Sequence, residues 1–172
     1  MLQFSGVALN LRLISTWTAS TNKMKTLYIV RGVSGSGKTT YAKKLAERVG
    51  CFFFEADMYF EDDDGNYVFK GSELKNAHNW CYESVAHEIS LGNDVVVSNT
   101  FTRVWEMQRY IDNALAHDYQ IVIVECTGRY QNTHGLDEAA VTRQIERFED
   151  WDAIRKHYPD LIYSGRIMLV QI

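Results

Sequence analysis

Proline and cysteine are both scarce in this chain, which has a single proline, Pro159, and three cysteines among 172 residues. The cysteines, at positions 51, 81 and 126, are odd in number and far apart, so they match neither a disulfide framework nor a metal-ligand pattern. We interpret them as buried thiols in a reducing compartment, which predicts a cytoplasmic protein.

Long hydrophobic runs and a strong charge of one sign are also missing. No apolar run approaches the ~18 residues that a membrane-spanning helix needs, so we expect no membrane partner. The net charge of −4 excludes a global attraction to nucleic acid, and any such contact would need a local basic patch. The length fits one domain with a substantial core, since two ordinary domains would need a longer chain.

The first 23 residues stand apart from the rest of the sequence. They carry an apolar patch that Arg12 interrupts, without the charged start and apolar block of a secretion signal. A clean β-rich run, MKTLYIV, begins only at Met24. We therefore expect residues 1–23 to be an N-terminal extension, either disordered or upstream of the true start, and residues 24–172 to form the domain.

The apolar residues alternate along the chain between short β-rich runs and helical spacing. Five runs are typical of strands: TLYIVRG, CFFFEAD, DVVVSNT, IVIVECT and RIMLVQI. Helical spacing separates most of them, at Tyr41 to Val49, Leu74 to Ile89, Val104 to Leu115 and Val141 to Phe148. This order predicts a three-layer α/β domain with a five-stranded parallel sheet, whose unbroken third strand is buried on both faces.

The segment GVSGSGKT, residues 32–39, matches the phosphate-loop pattern G-x-x-x-x-G-K-[ST] at every required position. Its glycines let the backbone curl so that N–H groups point at phosphate oxygens, and the following helix adds its positive end. Lys38 would reach the β- and γ-phosphates, and the Thr39 hydroxyl would be a magnesium ligand. The predicted nucleotide-binding residues are Gly32, Val33, Ser34, Gly35, Ser36, Gly37, Lys38, Thr39 and Thr40.

The phosphate loop alone does not choose between nucleotide-binding functions. The base-reading element of GTPases, N/T-K-x-D, does not occur in the sequence, which favours small kinases and their relatives. Asp57 follows the second strand, at the edge where ligands of open α/β sheets bind. A carboxylate there would accept a proton from an attacking hydroxyl or hold magnesium through water, or would simply cap a turn.

From the phosphate loop onward, the chain resembles the phage polynucleotide-kinase-like P-loop family, an AAA-type group of ATP-binding proteins. The segments YIVRGVSGSGKTTYAKKLA, EADMYF, AHNW, VVVSNTFTRVWEMQRY and NTHG follow one another in that family's order and spacing. The chain is more distantly similar to zeta-toxin and adenylate-kinase-like kinases. The resemblance implies an adenylate-kinase-like sheet with a short lid, ATP and Mg²⁺ at the loop, and Asp57 as general base and magnesium support.

Three positions depart from the family's pattern. Asn99, followed by Thr100, stands where the family has an acidic residue, Phe60 where it has an acceptor arginine, and His134 where it has a lid arginine. We expect Asn99, Thr100 and His134 to contact the substrate, with a weaker clamp at His134 because histidine is only partly charged near neutral pH.

Four arginines are candidates to replace the missing contacts: Arg103, Arg129, Arg143 and Arg147. Arg103 and Arg129 would contact the substrate, and Arg143 and Arg147, four residues apart on a helix, would clamp the transferring phosphoryl group. The alternative is a solvated helix face. Five aromatic residues near these segments would stack on nucleic-acid bases or else belong to the core: Trp80, Tyr82, Trp105, Tyr110 and Tyr130.

These patterns predict an ATP-dependent kinase that transfers the γ-phosphoryl group to a hydroxyl, with the 5′ end of a polynucleotide as the preferred acceptor. A small hydroxyl compound is the first alternative, which the acidic net charge and the loss of the acceptor arginine favour. The second alternative is a non-catalytic ATP-binding adaptor or ATPase, in which Asn99 and Phe60 reflect lost chemistry.

Overall fold

A five-stranded parallel sheet organises the domain in a computed structural model that describes residues 24–62, 64, 66–130 and 138–172. The strands are β1 (Thr26–Arg31), β2 (Phe52–Phe54), β3 (Val95–Ser98), β4 (Gln120–Glu125) and β5 (Ile167–Gln171). Their spatial order is β2-β3-β1-β4-β5. Every adjacent pair is parallel, with Ile29 paired to Val97 on one side and to Ile123 on the other.

Six helices accompany the sheet in the described part of the chain. They are α1 (Lys38–Val49), α2 (Leu74–Ser90), α3 (Val104–Ala116), α4 (Glu138–Glu146), α5 (Trp151–His157) and α6 (Pro159–Tyr163). A 3-10 turn, Ala56–Phe60, follows β2, and a second, Gly71–Glu73, precedes α2.

Alternating side chains of the central strands build a separate hydrophobic core on each face of the sheet. Leu27 and Ile29 of β1 face a core that includes residues of α2 and α3, whereas Tyr28 and Val30 face a core that includes residues of α1. Every residue of β1 and β3 is buried, which confirms the expectation for the third strand. The predicted three-layer α/β fold with a five-stranded parallel sheet is therefore confirmed.

The chain after β4 differs from the sequence-based prediction. The predicted helix from Val141 to Phe148 ends at Glu146, and none of its side chains is buried; Ile145 is 59% exposed. The short helices α5 and α6 were not predicted, although Pro159 fits the first turn of α6, where a missing N–H costs nothing. The N-terminal extension of residues 1–23, His134 and most of the lid lie outside the described residues.

Two further expectations concern the cysteines and the membrane. None of the three cysteines forms a disulfide; Cys81 and Cys126 are buried as expected, and Cys51 is only half-buried. No helix in the described ranges is long and apolar enough to cross a bilayer.

Candidate nucleotide and acceptor site

The loop between β1 and α1 has the backbone geometry of a phosphate-binding turn. Gly35 and Gly37 have φ values of 80° and 86°, in the left-handed region that favours glycine. A Cβ on Gly32 would lie 2.3 Å from Ser36 Oγ and 2.7 Å from the carbonyl oxygen of Cys126, so only glycine fits there. The N-terminus of α1 has no side-chain cap, which leaves this end of the helix suited to an anion.

One hydrogen bond within the loop and one to the segment after β3 hold the loop in place. The Gly32 N–H donates to the carbonyl oxygen of Thr100 at 3.2 Å, and the Ser36 N–H donates to that of Val33 at 3.1 Å. Thr40 is exposed in the first turn of α1. The predicted nucleotide-binding residues thus form one continuous turn and helix start, and Thr100 contributes to it through its backbone.

Two carboxylates lie near Lys38. Burial lowers the pKa of the Lys38 ammonium, and the negative charges of Glu55 and Asp57 oppose this effect. Glu55 is only 6% exposed, and its Oε2 accepts a hydrogen bond of 2.8 Å from the Thr39 hydroxyl. Burial raises the pKa of the Glu55 carboxyl, while the bond from Thr39 acts in the opposite direction.

Glu55 is a site residue that the sequence analysis missed. It lies two positions before Asp57, and its only sequence signal was a second acidic residue at the end of β2. The Thr39 hydroxyl and the Glu55 carboxylate are oxygen ligands of the kind that Mg²⁺ prefers. No group of three or more His, Cys, Asp or Glu residues in the described ranges forms a metal cage. The pair therefore fits magnesium that arrives with phosphates, since such sites use one or two carboxylates plus phosphate oxygens.

Asp57 lies in the 3-10 turn after β2 and is half-buried. The hydroxyl of Tyr67 donates to Asp57 Oδ1 at 3.3 Å, and burial together with the Asp57 charge raises the pKa of Tyr67 to about 12. Asn99 Oδ1 accepts a hydrogen bond of 3.0 Å from the Ala56 N–H, and Asn99 is only 7% exposed. Asn99 thus positions the turn that carries Asp57.

Aromatic rings cluster around Phe60 in the turn that carries Asp57. Phe60 is buried, and its ring centroid lies 5.5 Å from that of Tyr59, 6.1 Å from that of Tyr67 and 5.1 Å from that of Phe69. These three partners are 38%, 41% and 55% exposed, respectively. We call Tyr59, Tyr67 and Phe69 the aromatic surface. The ring of Phe60, where the family pattern has an arginine, is its buried centre.

The segment after α4 docks on the carboxyl end of the sheet through Arg31, which is fully buried. Its guanidinium lies 4.0 Å from the ring centroid of Phe148, and its Nη2 donates to the carbonyl oxygen of Glu149. Its Nη1 lies 3.9 Å from Glu125 Oε2. Burial lowers the pKa of Arg31, and the charges of Glu125 and Glu149 oppose that shift.

Glu149 also forms an ion pair with Arg103, which the sequence predicts to contact the substrate. Its Oε1 lies 3.1 Å from Arg103 Nη1, and its Oε2 accepts a hydrogen bond of 2.6 Å from the Val104 N–H at the start of α3. The bond from Val104 is the main reason that the pKa of Glu149 is lowered. The guanidinium of Arg103, predicted to contact the substrate, therefore has an ion-pair partner within the chain.

The backbone between β3 and α3 bends sharply at Phe101, a buried residue with a φ of 42°. On one side, the Thr100 carbonyl accepts from Gly32 in the phosphate loop; on the other, the Thr102 carbonyl accepts from the Glu149 N–H at 2.7 Å. One strained residue thus lies between the contacts to the loop and to the segment after α4.

Helix α4 reaches the phosphate loop through a residue that the sequence analysis did not single out. Gln144 Oε1 accepts a hydrogen bond of 2.8 Å from the N–H of Ser34. Arg143, next to Gln144, is exposed, and Arg147 is exposed just beyond the last residue of α4. Arg129 is exposed in the segment after β4.

Of the five aromatic candidates, Tyr110 belongs to the core, Trp80 and Tyr82 pack against it, and Trp105 and Tyr130 are exposed.

The fold and the loop define a P-loop kinase-like domain. The family described as AAA domain matches residues 27–133, more than half of the chain, and the protein belongs to that family.

The chain is 28% identical over 137 residues to human NEDD4-binding protein 2, an alignment that covers 72% of this chain and 8% of that protein. It is 32% identical over 77 residues to a probable gluconokinase of Xenopus tropicalis, covering 42% and 40%. The chain thus spans less than half the length of both relatives. A gluconokinase structure from Sinorhizobium meliloti shares the fold, with a TM-score of 0.52 at 17% identity over 87% of this chain and 84% of that one.

Proposed function

We propose that this protein is an ATP-dependent kinase that transfers the γ-phosphoryl group to the 5′-hydroxyl of a polynucleotide. The observation that carries the proposal is the position of Asp57. The charge of this half-buried carboxylate opposes the lowering of the Lys38 pKa by burial, and the carboxylate accepts a hydrogen bond from Tyr67, whose partly exposed ring packs on Phe60. A hydroxyl brought against Asp57 would therefore lie between the phosphate loop and a surface suited to planar ligands.

The residues divide the work of transfer between the two sides. Lys38 and the loop N–H groups would neutralise the phosphates, with the exposed arginines Arg129, Arg143 and Arg147 available to cover the transferring group. Asp57 would accept the proton of the attacking hydroxyl, and the bond from Tyr67 fixes the direction of its carboxylate. Thr39, with Glu55 and Asp57 beside it, would hold Mg²⁺, which would add positive charge at the β- and γ-phosphates.

The aromatic surface supports a nucleic-acid acceptor. Exposed rings bind unpaired bases by stacking, and this contact tolerates any base sequence. Tyr59 and Phe69, which pack on Phe60 in and beside the turn that carries Asp57, are 38% and 55% exposed. A small acyclic polyhydroxy acid has no flat ring to stack on these side chains, so they would add less to its binding than to that of a nucleobase.

The test is transfer from labelled ATP with magnesium to 5′-hydroxyl DNA, 5′-hydroxyl RNA, nucleosides and gluconate. We expect label on an oligonucleotide. Asp57→Asn should lower kcat by roughly 10²–10⁴ while ATP still binds, because a general base contributes about that much. Lys38→Ala should abolish transfer. Asp112→Asn, an exposed acid on α3, is the matched control and should keep full activity.

Three results would each contradict a different part of the proposal. Full activity of Asp57→Asn would reject this residue as the base. Label on gluconate or on a nucleoside alone would reject the polynucleotide acceptor. Phe69→Leu should raise KM for the oligonucleotide without changing KM for ATP, and an unchanged oligonucleotide KM would remove the aromatic surface from the acceptor site.

A small-molecule kinase is the second candidate, which the similarity to a probable gluconokinase over 42% of the chain favours. The salt dependence of acceptor affinity separates the two. A polynucleotide that is bound through several of its phosphates loses affinity steeply with added salt, whereas a small acceptor with one charge or none gives a nearly flat response. ATP binding without label on any acceptor would instead indicate a non-catalytic ATP-binding protein.

A further inference from the structure

Tyr130 is an exposed aromatic residue that is fixed to the phosphate loop. Its side chain is 71% exposed, yet its backbone N–H donates to the carbonyl oxygen of Gly35 at 2.8 Å. Gly35 lies inside the loop, so this bond ties the segment after β4 directly to the phosphate-binding turn. The transfer mechanism proposed above makes no use of the ring.

Two glycines let the ring approach the loop closely. A Cβ on Gly37 would lie 2.9 Å from Tyr130 Cε2, and a Cβ on Gly128 would lie 2.4 Å from the same atom. Gly37 is required by the phosphate-loop pattern, but Gly128 is not. A Cβ on Gly128 would also lie 2.8 Å from the carbonyl oxygen of Ser36. The ring therefore packs against backbone on one side and leaves most of its surface open to solvent.

We infer that Tyr130 is the platform on which the base of the bound nucleoside triphosphate stacks. The inference rests on the proposed function, because the loop must bind a nucleotide. The base is joined to the phosphates through a single ribose, so it must lie beside the loop. Tyr130 contacts the loop at Gly37, directly before the helix end that would take the phosphates.

Stacking on Tyr130 contributes affinity without selecting the base. Every nucleobase has a flat π face, and a tyrosine ring under it forms no pattern of hydrogen bonds with its edge. The ligand of this subsite is therefore the base of a nucleoside triphosphate, and the contribution of Tyr130 is the same for ATP and GTP.

Calorimetric titrations with ATP and with inorganic tripolyphosphate, both with magnesium, test this role. Stacking contributes about 1–3 kcal/mol per base, so Tyr130→Leu should weaken ATP binding by roughly 5- to 150-fold. Tripolyphosphate has no base, and its affinity should not change. Tyr130→Phe, which keeps the ring, should bind ATP as the wild type does. Tyr163→Leu is the matched control, since Tyr163 is 95% exposed at the end of α6.

Each other outcome overturns the inference in a recognisable way. Equal losses for ATP and tripolyphosphate would show that Tyr130 only shapes the loop. Unchanged ATP affinity in Tyr130→Leu would place the base elsewhere. Failure of the wild-type protein to bind both ATP and tripolyphosphate would overturn nucleotide binding by the loop itself, and with it both proposals. Because Tyr130 is exposed, the variants should fold, and thermal unfolding checks this.

Discussion

Replacing Glu55 by glutamine should raise the magnesium requirement of the protein. The Glu55 carboxylate is buried and accepts the hydrogen of the Thr39 hydroxyl at 2.8 Å. While that hydrogen points at Glu55, the lone pairs of Thr39 Oγ1 are directed elsewhere and are available to a cation. Glutamine keeps the size of the side chain and one acceptor oxygen but removes the negative charge.

The magnitude follows from the kind of interaction that is lost. A hydrogen bond to a charged group contributes about 1.5–3 kcal/mol, which corresponds to roughly 10- to 150-fold in a binding constant. Replacing a residue that is hydrogen-bonded to a metal ligand typically lowers the metal affinity by about 10- to 100-fold. We therefore expect the half-saturating magnesium concentration of Glu55→Gln to rise by about 30-fold.

The assay is magnesium titration of ATP binding, followed by calorimetry of ATP without metal. Metal-free ATP should bind Glu55→Gln at least as tightly as it binds the wild type, because a negative charge near the phosphates is gone. Glu61→Gln is the matched control, since Glu61 is exposed just after the 3-10 turn. An unchanged magnesium requirement in Glu55→Gln, or an equal rise in Glu61→Gln, would refute the role of the Thr39–Glu55 pair.

Three further predictions concern the segment after β4 and its contacts. Arg31→Met should destabilise the fold by about 3 kcal/mol because it leaves the Glu125 charge uncompensated. The thermal midpoint should fall by roughly 6–12 °C. Adding Glu125→Gln should restore part of the lost stability, and no recovery would contradict a stabilising ion pair. Glu149 has a lowered pKa, so its contribution to stability is present above the ordinary carboxyl pKa of 4.5 and is lost as pH falls through its lower folded pKa. The free energy of unfolding of Glu149→Gln, measured with urea, should therefore change less with pH at and below 4.5 than that of the wild type. The same dependence of the unfolding free energy on pH in both proteins would refute this. Gln144→Leu should tighten tripolyphosphate binding by about 2- to 12-fold. In the variant, the phosphate no longer has to displace the hydrogen bond from the Ser34 N–H to Gln144, which contributes about 0.5–1.5 kcal/mol. Weaker binding would show that Gln144 helps to bind phosphate instead.

Local patterns were sufficient to predict the sheet and the phosphate loop. Each strand is a short run whose β-rich composition is visible without its neighbours, and the loop is defined by residue types at fixed spacing. The carboxyl-edge position of Asp57 followed from the same reasoning, because ligands of parallel sheets bind where the strands end.

Contacts between distant segments could not be predicted. The sequence shows two acids after β2, and only the packing of α1 beside β2 decides that Glu55 meets Thr39. Phe148 fitted the helical spacing of α4 but packs on Arg31 instead, so the predicted helix continued too far. Nothing in the sequence around Arg103 indicates a partner. Its ion pair with Glu149 forms because the segment after α4 returns to the sheet.

The bend at Phe101 connects the phosphate loop mechanically to the segment after α4. A phenylalanine in the left-handed region costs on the order of 1–3 kcal/mol, and the fold retains that cost between the contacts to the phosphate loop and to Glu149. A displacement of either segment pulls on the same short piece of backbone. Movements of the phosphate loop and of the segment after α4 would therefore be coupled to each other through the backbone at Phe101.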